Sequence, residues 1–142
     1  MNEETQVKVR DLGLLLLRVG LGGIFFLLHG WGKLFAGPEK WTGLGKAMEV
    51  FGVAFLPVVW GFLAAFSECV GGLAIALGIF FRPFCALLTI TMIVAAAMHL
   101  DQGHGLAQAS HAIEIGIVAF TLIFIGPGAL NLGRFFRRKR RP

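Results

Sequence analysis

Residues 12–35 read LGLLLLRVGLGGIFFLLHGWGKLF. Only Arg18 interrupts the apolar run before His29 and Lys33. As a helix, a stretch of this length crosses about 30 Å of hydrocarbon. Three further apolar runs follow, at about 57–81, 83–100 and 106–126. Each runs about 18 residues or more, the length of a spanning helix. None alternates apolar and polar residues as the strand of a membrane barrel does.

The composition agrees. Of 142 residues, 56% are hydrophobic and 15% charged, where soluble domains carry about 25% charged residues. Mean hydropathy is +0.77. Twenty glycines and 14 phenylalanines suit membrane helices. A soluble fold of this size would have no outer layer left to cover four such helices. The expected fold is therefore a single all-α membrane domain over 1–142, a four-transmembrane-helix bundle. The first run is too long for the core of a cleaved signal peptide and carries Arg18, so it is read as a retained span.

Between spans one and two, Trp41, Leu44, Met48 and Phe51 recur at helical spacing, with Glu39, Lys40, Lys46 and Glu49 between them. That pattern predicts a short interfacial helix. Residues 1–11 read as a polar arm. Pro83 in FFRPF starts the third span after a tight hairpin. HLDQGHG joins spans three and four, and Gly126, Pro127 and Gly128 end the last. Cys69 and Cys85 lack any metal-ligand spacing and read as small buried hydrophobes.

With four spans both ends share a side. That side collects nine Lys and Arg residues, including the tail group at 134–142, against three on the other. The bias predicts both termini in the cytoplasm. It also makes the tail a lipid-binding, topogenic segment rather than a nucleic-acid site.

Polar groups within the spans are few and costly, so they mark interior or functional positions. Arg18, Gly22, Phe25, His29 and Lys33 form one stripe at helical spacing. Glu68 shares a face with Gly61, Ala65, Gly72 and Ala76, small residues that let another helix approach. His111 and Glu114 lie three apart on the last span. At 1.5 Å per residue, Glu68 and Glu114 lie about 18–20 Å from the cytoplasmic ends, His29 and His111 about 22–26 Å, and Arg18 about 9 Å. The expected site is a polar intramembrane cavity for protons or a ligand, formed by His29, Lys33, Glu68, His111 and Glu114. Arg18 is a structural or cytoplasmic-side charge. Carboxylates beside imidazoles relay protons. A quinone head group would also suit the set, with Glu or His at its carbonyls and Phe and Met at its ring. The single HAIE element is half of what a di-iron bundle uses, and reversed in order. His29 and His111 are the candidates for haem ligation. No metal site and no catalytic residue are assigned.

Three pieces carry a family resemblance: LLRVGLGGIFFLLHGWGKL, SECVGGLAIALGIFFRPFCALL and HAIEIGIVAFTLIFIGPGAL. Across residues 12–132 the chain resembles the DoxX family of small bacterial and archaeal membrane proteins. The resemblance implies a four-helix membrane bundle in the cytoplasmic membrane, association with redox systems, and Arg18, His29, Lys33, Glu68 and Glu114 as family residues. Relatives include a quinone-reducing subunit of a thiosulfate oxidoreductase. Three readings of function stay open: a membrane redox component acting near quinone, a non-catalytic accessory subunit of a larger respiratory or oxidoreductase complex, and a small transporter. In the topology expected here, a reporter fused after Pro142 is active only in a form that works in the cytoplasm. Activity of a periplasm-dependent reporter at that site would reverse the assignment.

Overall fold

A computed structural model of the chain describes residues 2–134. The tail from residue 135 onward lies outside the described residues. Four helices are long and apolar enough to cross a membrane. They are α1 (Glu3–Leu34), α3 (Pro57–Leu77), α4 (Phe81–Asp101) and α5 (Gly105–Ile125). The short helix α2 (Pro38–Gly45) lies between the first two and continues as a 3-10 segment, Lys46–Phe51.

α1 begins well before the predicted span, and residues 3–11 are helix rather than a polar arm. Asn2 caps it, its side chain accepting the Thr5 N–H at 2.9 Å. Glu3 and Glu4 sit in the first turn, where the helix dipole favours acids. Lys8 pairs with Glu4 one turn on, at 2.7 Å. These local terms extend the helix beyond the apolar run that reveals it. α3 ends four residues before the predicted limit. Gly78 takes a left-handed φ of 71°. The N–H groups of Gly78 and Ile79 then close the last turn on Ile75 and Ala74, at 3.1 and 3.0 Å.

The close helix pairs are α1 with α3, α2 with α3, and α4 with α5. In lipid, helices gain little from hydrophobic burial against each other, so close approach depends on small residues. A Cβ on Gly22 would overlap the Gly72 carbonyl and the Ala76 backbone, and one on Gly30 would overlap the Cys69 backbone. α2 meets α3 in the same way, with Gly45 against Pro57 and Gly61 against Trp41. These two contacts run α2 antiparallel along the first turns of α3. Ala112 and Ala119 of α5 are buried in the core with Cys85, Leu88 and Met92 of α4. Phe25, Ile75 and Phe81 join the two halves in that core. Leu16, Leu28, Ile90 and Phe124 face outward, as lipid-facing residues do.

Both ends of the described chain meet. The Ala129 N–H donates to Asp11 Oδ1 at 3.2 Å, which folds the segment after α5 across the first third of α1. The side holding these ends is called the terminal side below.

Gly30→Leu is expected to separate α1 from α3 and to destabilise the fold by roughly 1–3 kcal/mol or more, as overpacking does. Gly20 has nothing within 4 Å of an added Cβ. Gly20→Ala should be neutral or stabilising by about 0.5–1 kcal/mol. Unfolding in detergent micelles compares the two.

Candidate functional site

The two helices that approach most intimately are both irregular where they touch. α1 is π-helical over Phe25–Gly30, and α3 is π-helical over Ser67–Gly71. The two segments face each other, with Gly30 against the backbone at Glu68 and Cys69. A π turn adds a residue to the helical turn and is frequent at functional sites. On α1 the buried positions step by five, from Phe25 to Gly30, where a regular helix would step by three or four.

This junction holds His29 and Glu68, with Lys33 one turn on. α1 and α3 run antiparallel, and side chains lean toward their own helix N-terminus. Lys33 therefore leans toward the terminal side and Glu68 leans the opposite way, so the two converge. Lys33 Nζ donates to Glu68 Oε2 at 2.5 Å. The Glu68 side chain is 7% exposed and that of Lys33 31%. The carboxylate is thus enclosed, and the ammonium is reachable from one side. Glu68 lies eleven residues into α3, about 16 Å from Pro57 at 1.5 Å per residue. An ion pair at this depth is costly to assemble and more costly to break.

His29 sits between two rings. Its centroid lies 5.1 Å from Phe25 and 5.6 Å from His111 of α5, the latter stacked at 29°. The next residue, Gly30, lies against the Glu68 and Cys69 backbone, which keeps His29 next to the ion pair. Trp41 of α2 closes the end of α1, its Nε1–H donating to the Lys33 carbonyl at 2.9 Å. One of the carbonyls orphaned at a helix end is thereby satisfied.

Four of the five predicted site residues thus come together: His29, Lys33, Glu68 and His111. Glu114 lies one turn along α5 from His111, exposed on the helix surface and outside the ion pairs of the described residues. Arg18 stands apart, 3% exposed and beside Gly78 at the end of α3. No sequence signal announced the π turns or the hydrogen bond from Trp41 to the end of α1. His99, in the last turn of α4, and His104, in the loop after it, also pair, Nδ1 to Nδ1 at 3.2 Å. Among the described residues no group of three or more His, Cys, Asp or Glu side chains is arranged to hold a metal ion.

Fold and site together define a four-span integral membrane protein with an ion pair buried inside its bundle. A DoxX family model matches residues 13–101, and the chain belongs to that family. Arg18, His29, Lys33 and Glu68 fall within the match; His111 and Glu114 lie beyond it. No curated protein and no solved structure matches the chain.

Lys33→Met and Glu68→Leu each leave one buried charge unpaired. Each is expected to destabilise by roughly 1–3 kcal/mol, below the 3–5 of a fully buried pair because Lys33 is partly exposed. The double variant should cost less than the sum of the two, a coupling that a double-mutant cycle of unfolding measures.

Proposed function

We propose that this DoxX protein is a component of a membrane redox system, and that the Lys33–Glu68 pair with the stacked His29 and His111 is its protonatable, ligand-binding site. The observation that carries this reading is an ion pair about halfway across the bundle, with two imidazoles beside it. A structural pair alone would not require imidazoles, whose two ring nitrogens can take up and pass on a proton.

A quinone suits the residue types present. Lys33 and an imidazole N–H would donate to a quinone carbonyl oxygen, and Phe26 offers apolar surface to the ring. When bound, the quinone supplies the electron-accepting chemistry. The chain's own part is proton handling and orientation. Glu68 accepts from Lys33 and is shielded from bulk solvent, so it holds its partner in place. His29 stands between that pair and His111 and would carry a proton across from α1 to α5. Glu114, one turn further along α5, is the next acid available to exchange it. The basic bias of the terminal side supports both termini in the cytoplasm of a bacterial or archaeal cell, with the bundle in the cytoplasmic membrane.

A second reading, a non-catalytic accessory subunit in a larger oxidoreductase complex, draws on the far side of the bundle. There α4 and α5 flank an apolar groove of about 540 Å³, lined by residues including Met92, Ala96, Ala112, Gly116 and Phe120. Glu114, exposed within a span, also favours a polar neighbour.

Purification from native membranes in mild detergent, followed by lipid extraction, separates the readings. The wild-type protein is expected to carry quinone, and Glu68→Gln to lose it while folding normally, because that change removes the charge and keeps the shape. Co-purifying redox polypeptides without quinone would favour the accessory subunit. Quinone retained undiminished by Glu68→Gln would defeat the site assignment.

A further inference from the structure

Another buried charge, Arg18, lies midway along α1, about four turns before Lys33, and has a different environment. Arg18 is 3% exposed, and its Nε–H and Nη1–H have no hydrogen-bond acceptor among the described residues. It belongs to none of the three ion pairs among the described residues. Asp11 lies on the same face two turns away, about 10 Å along the helix. That carboxylate already accepts from Ala129 and lies 3.8 Å from Arg10. The carbonyl end of α3 offers partial negative charge, yet those two N–H groups remain unused. A guanidinium buried without acceptors is expensive, and in native proteins such a group calls for an explanation.

The surroundings supply one. Arg18 is level with Gly78, the first residue past the end of α3, about 9 Å inside the apolar run from its terminal-side end. Gly78 keeps the space beside the guanidinium open, since a Cβ there would overlap Arg18 Nη1. Over it runs residues 126–134 as a strap. Asn131 lies against the same point, its Nδ2 donating to the Gly128 carbonyl and its Oδ1 accepting from the Arg134 N–H. Gly126 and Gly128 have φ of 80° and 75°, conformations that favour glycine. Two exposed cations flank the strap: Arg82 beside Gly126, and Arg134 at its far end.

We propose that Arg18 is the buried end of an anion site for a phosphate-type oxyanion on the terminal side of the bundle, with Arg82 and Arg134 at its mouth and the 126–134 strap as its cover. Phosphate oxygens accept several N–H bonds at once and carry the missing counter-charge. Two sources have this chemistry, the headgroup of an anionic phospholipid and free inorganic phosphate. The site is separate from the Lys33–Glu68 junction and stands whether or not that junction binds quinone.

The test uses the full chain in a non-ionic detergent, with phosphatidylglycerol, phosphatidylcholine and inorganic phosphate as probes. Binding is read by native mass spectrometry and by the shift in thermal unfolding. A full-length variant with residues 137–141 changed to glutamine removes lipid held only by the basic tail. In that background, phosphatidylglycerol or phosphate should bind with one-site stoichiometry and raise the unfolding temperature, and phosphatidylcholine should do so more weakly. Arg18→Met should weaken the anion by about tenfold or more, the scale of one charge-assisted contact, whereas Arg18→Lys should retain much of it. Stabilisation by phosphate alone identifies a free anion as sufficient, and stabilisation by phosphatidylglycerol alone identifies the headgroup. Should Arg18→Met not fold, the wild-type titrations and Arg18→Lys still decide. No anion-dependent shift in the wild-type chain, or equal binding to Arg18→Met, overturns the site.

Discussion

Everything in this bundle depends on how closely α1 lies against α3. Lipid tails are as apolar as leucine, so no hydrophobic force of the soluble kind draws the two helices together. They meet because Gly22, Gly30 and Gly72 present no side chains at the contact. That backbone-to-backbone distance sets the rest. It brings the Lys33 ammonium within reach of Glu68, presents His29 to α5, and sets the two π-helical turns backbone to backbone at Gly30. The polar groups are a consequence of the packing as much as a cause of it: an ion pair this deep needs a rigid frame to hold both partners at hydrogen-bond distance.

Much of the fold is legible in the sequence because one physical signal dominates it. Runs of 18 or more apolar residues have few alternatives to a spanning helix, and the four runs are the four long helices. The connector was legible from Trp41, Leu44 and Met48 at helical spacing, and it is a helix. Boundaries were less visible. The helix from Glu3 onward is built from a cap, a dipole effect and an i,i+4 pair, which are small terms beside hydropathy. The end of α3 turned on the left-handed conformation of Gly78, one glycine among twenty.

The site was legible residue by residue rather than as an arrangement. Charges inside spans stand out, so Lys33, Glu68 and the histidines could be picked out, and the small residues around Glu68 pointed it toward another helix. What the sequence hid was the register. A regular helical wheel places Arg18, Gly22, Phe25, His29 and Lys33 on one stripe, and the π turn interrupts that stripe by moving the close contact to Gly30. A widened turn is stabilised by its neighbour some forty residues away, and nothing local in FFLLHG distinguishes it from ordinary helix. The burial of Arg18 was hidden for a similar reason, since the strap that covers it comes from the opposite end of the chain.

The joint between α1 and α2 has a consequence for how the protein sits in its bilayer. α1 stops at Leu34, its last turn held by Trp41, and after Gly37, at φ 89°, the chain resumes as α2 beside the first turns of α3. The first crossing is one long helix whose far end is tied to α2, while the other three are single rods of equal length. Stiff helices meet a change in hydrocarbon thickness by tilting as a whole, which would disturb every contact along them. Here α2 is tied to α1 through Trp41 and to α3 at Gly45 and Gly61, so these three helices tilt as one body and keep the register of α1 against α3.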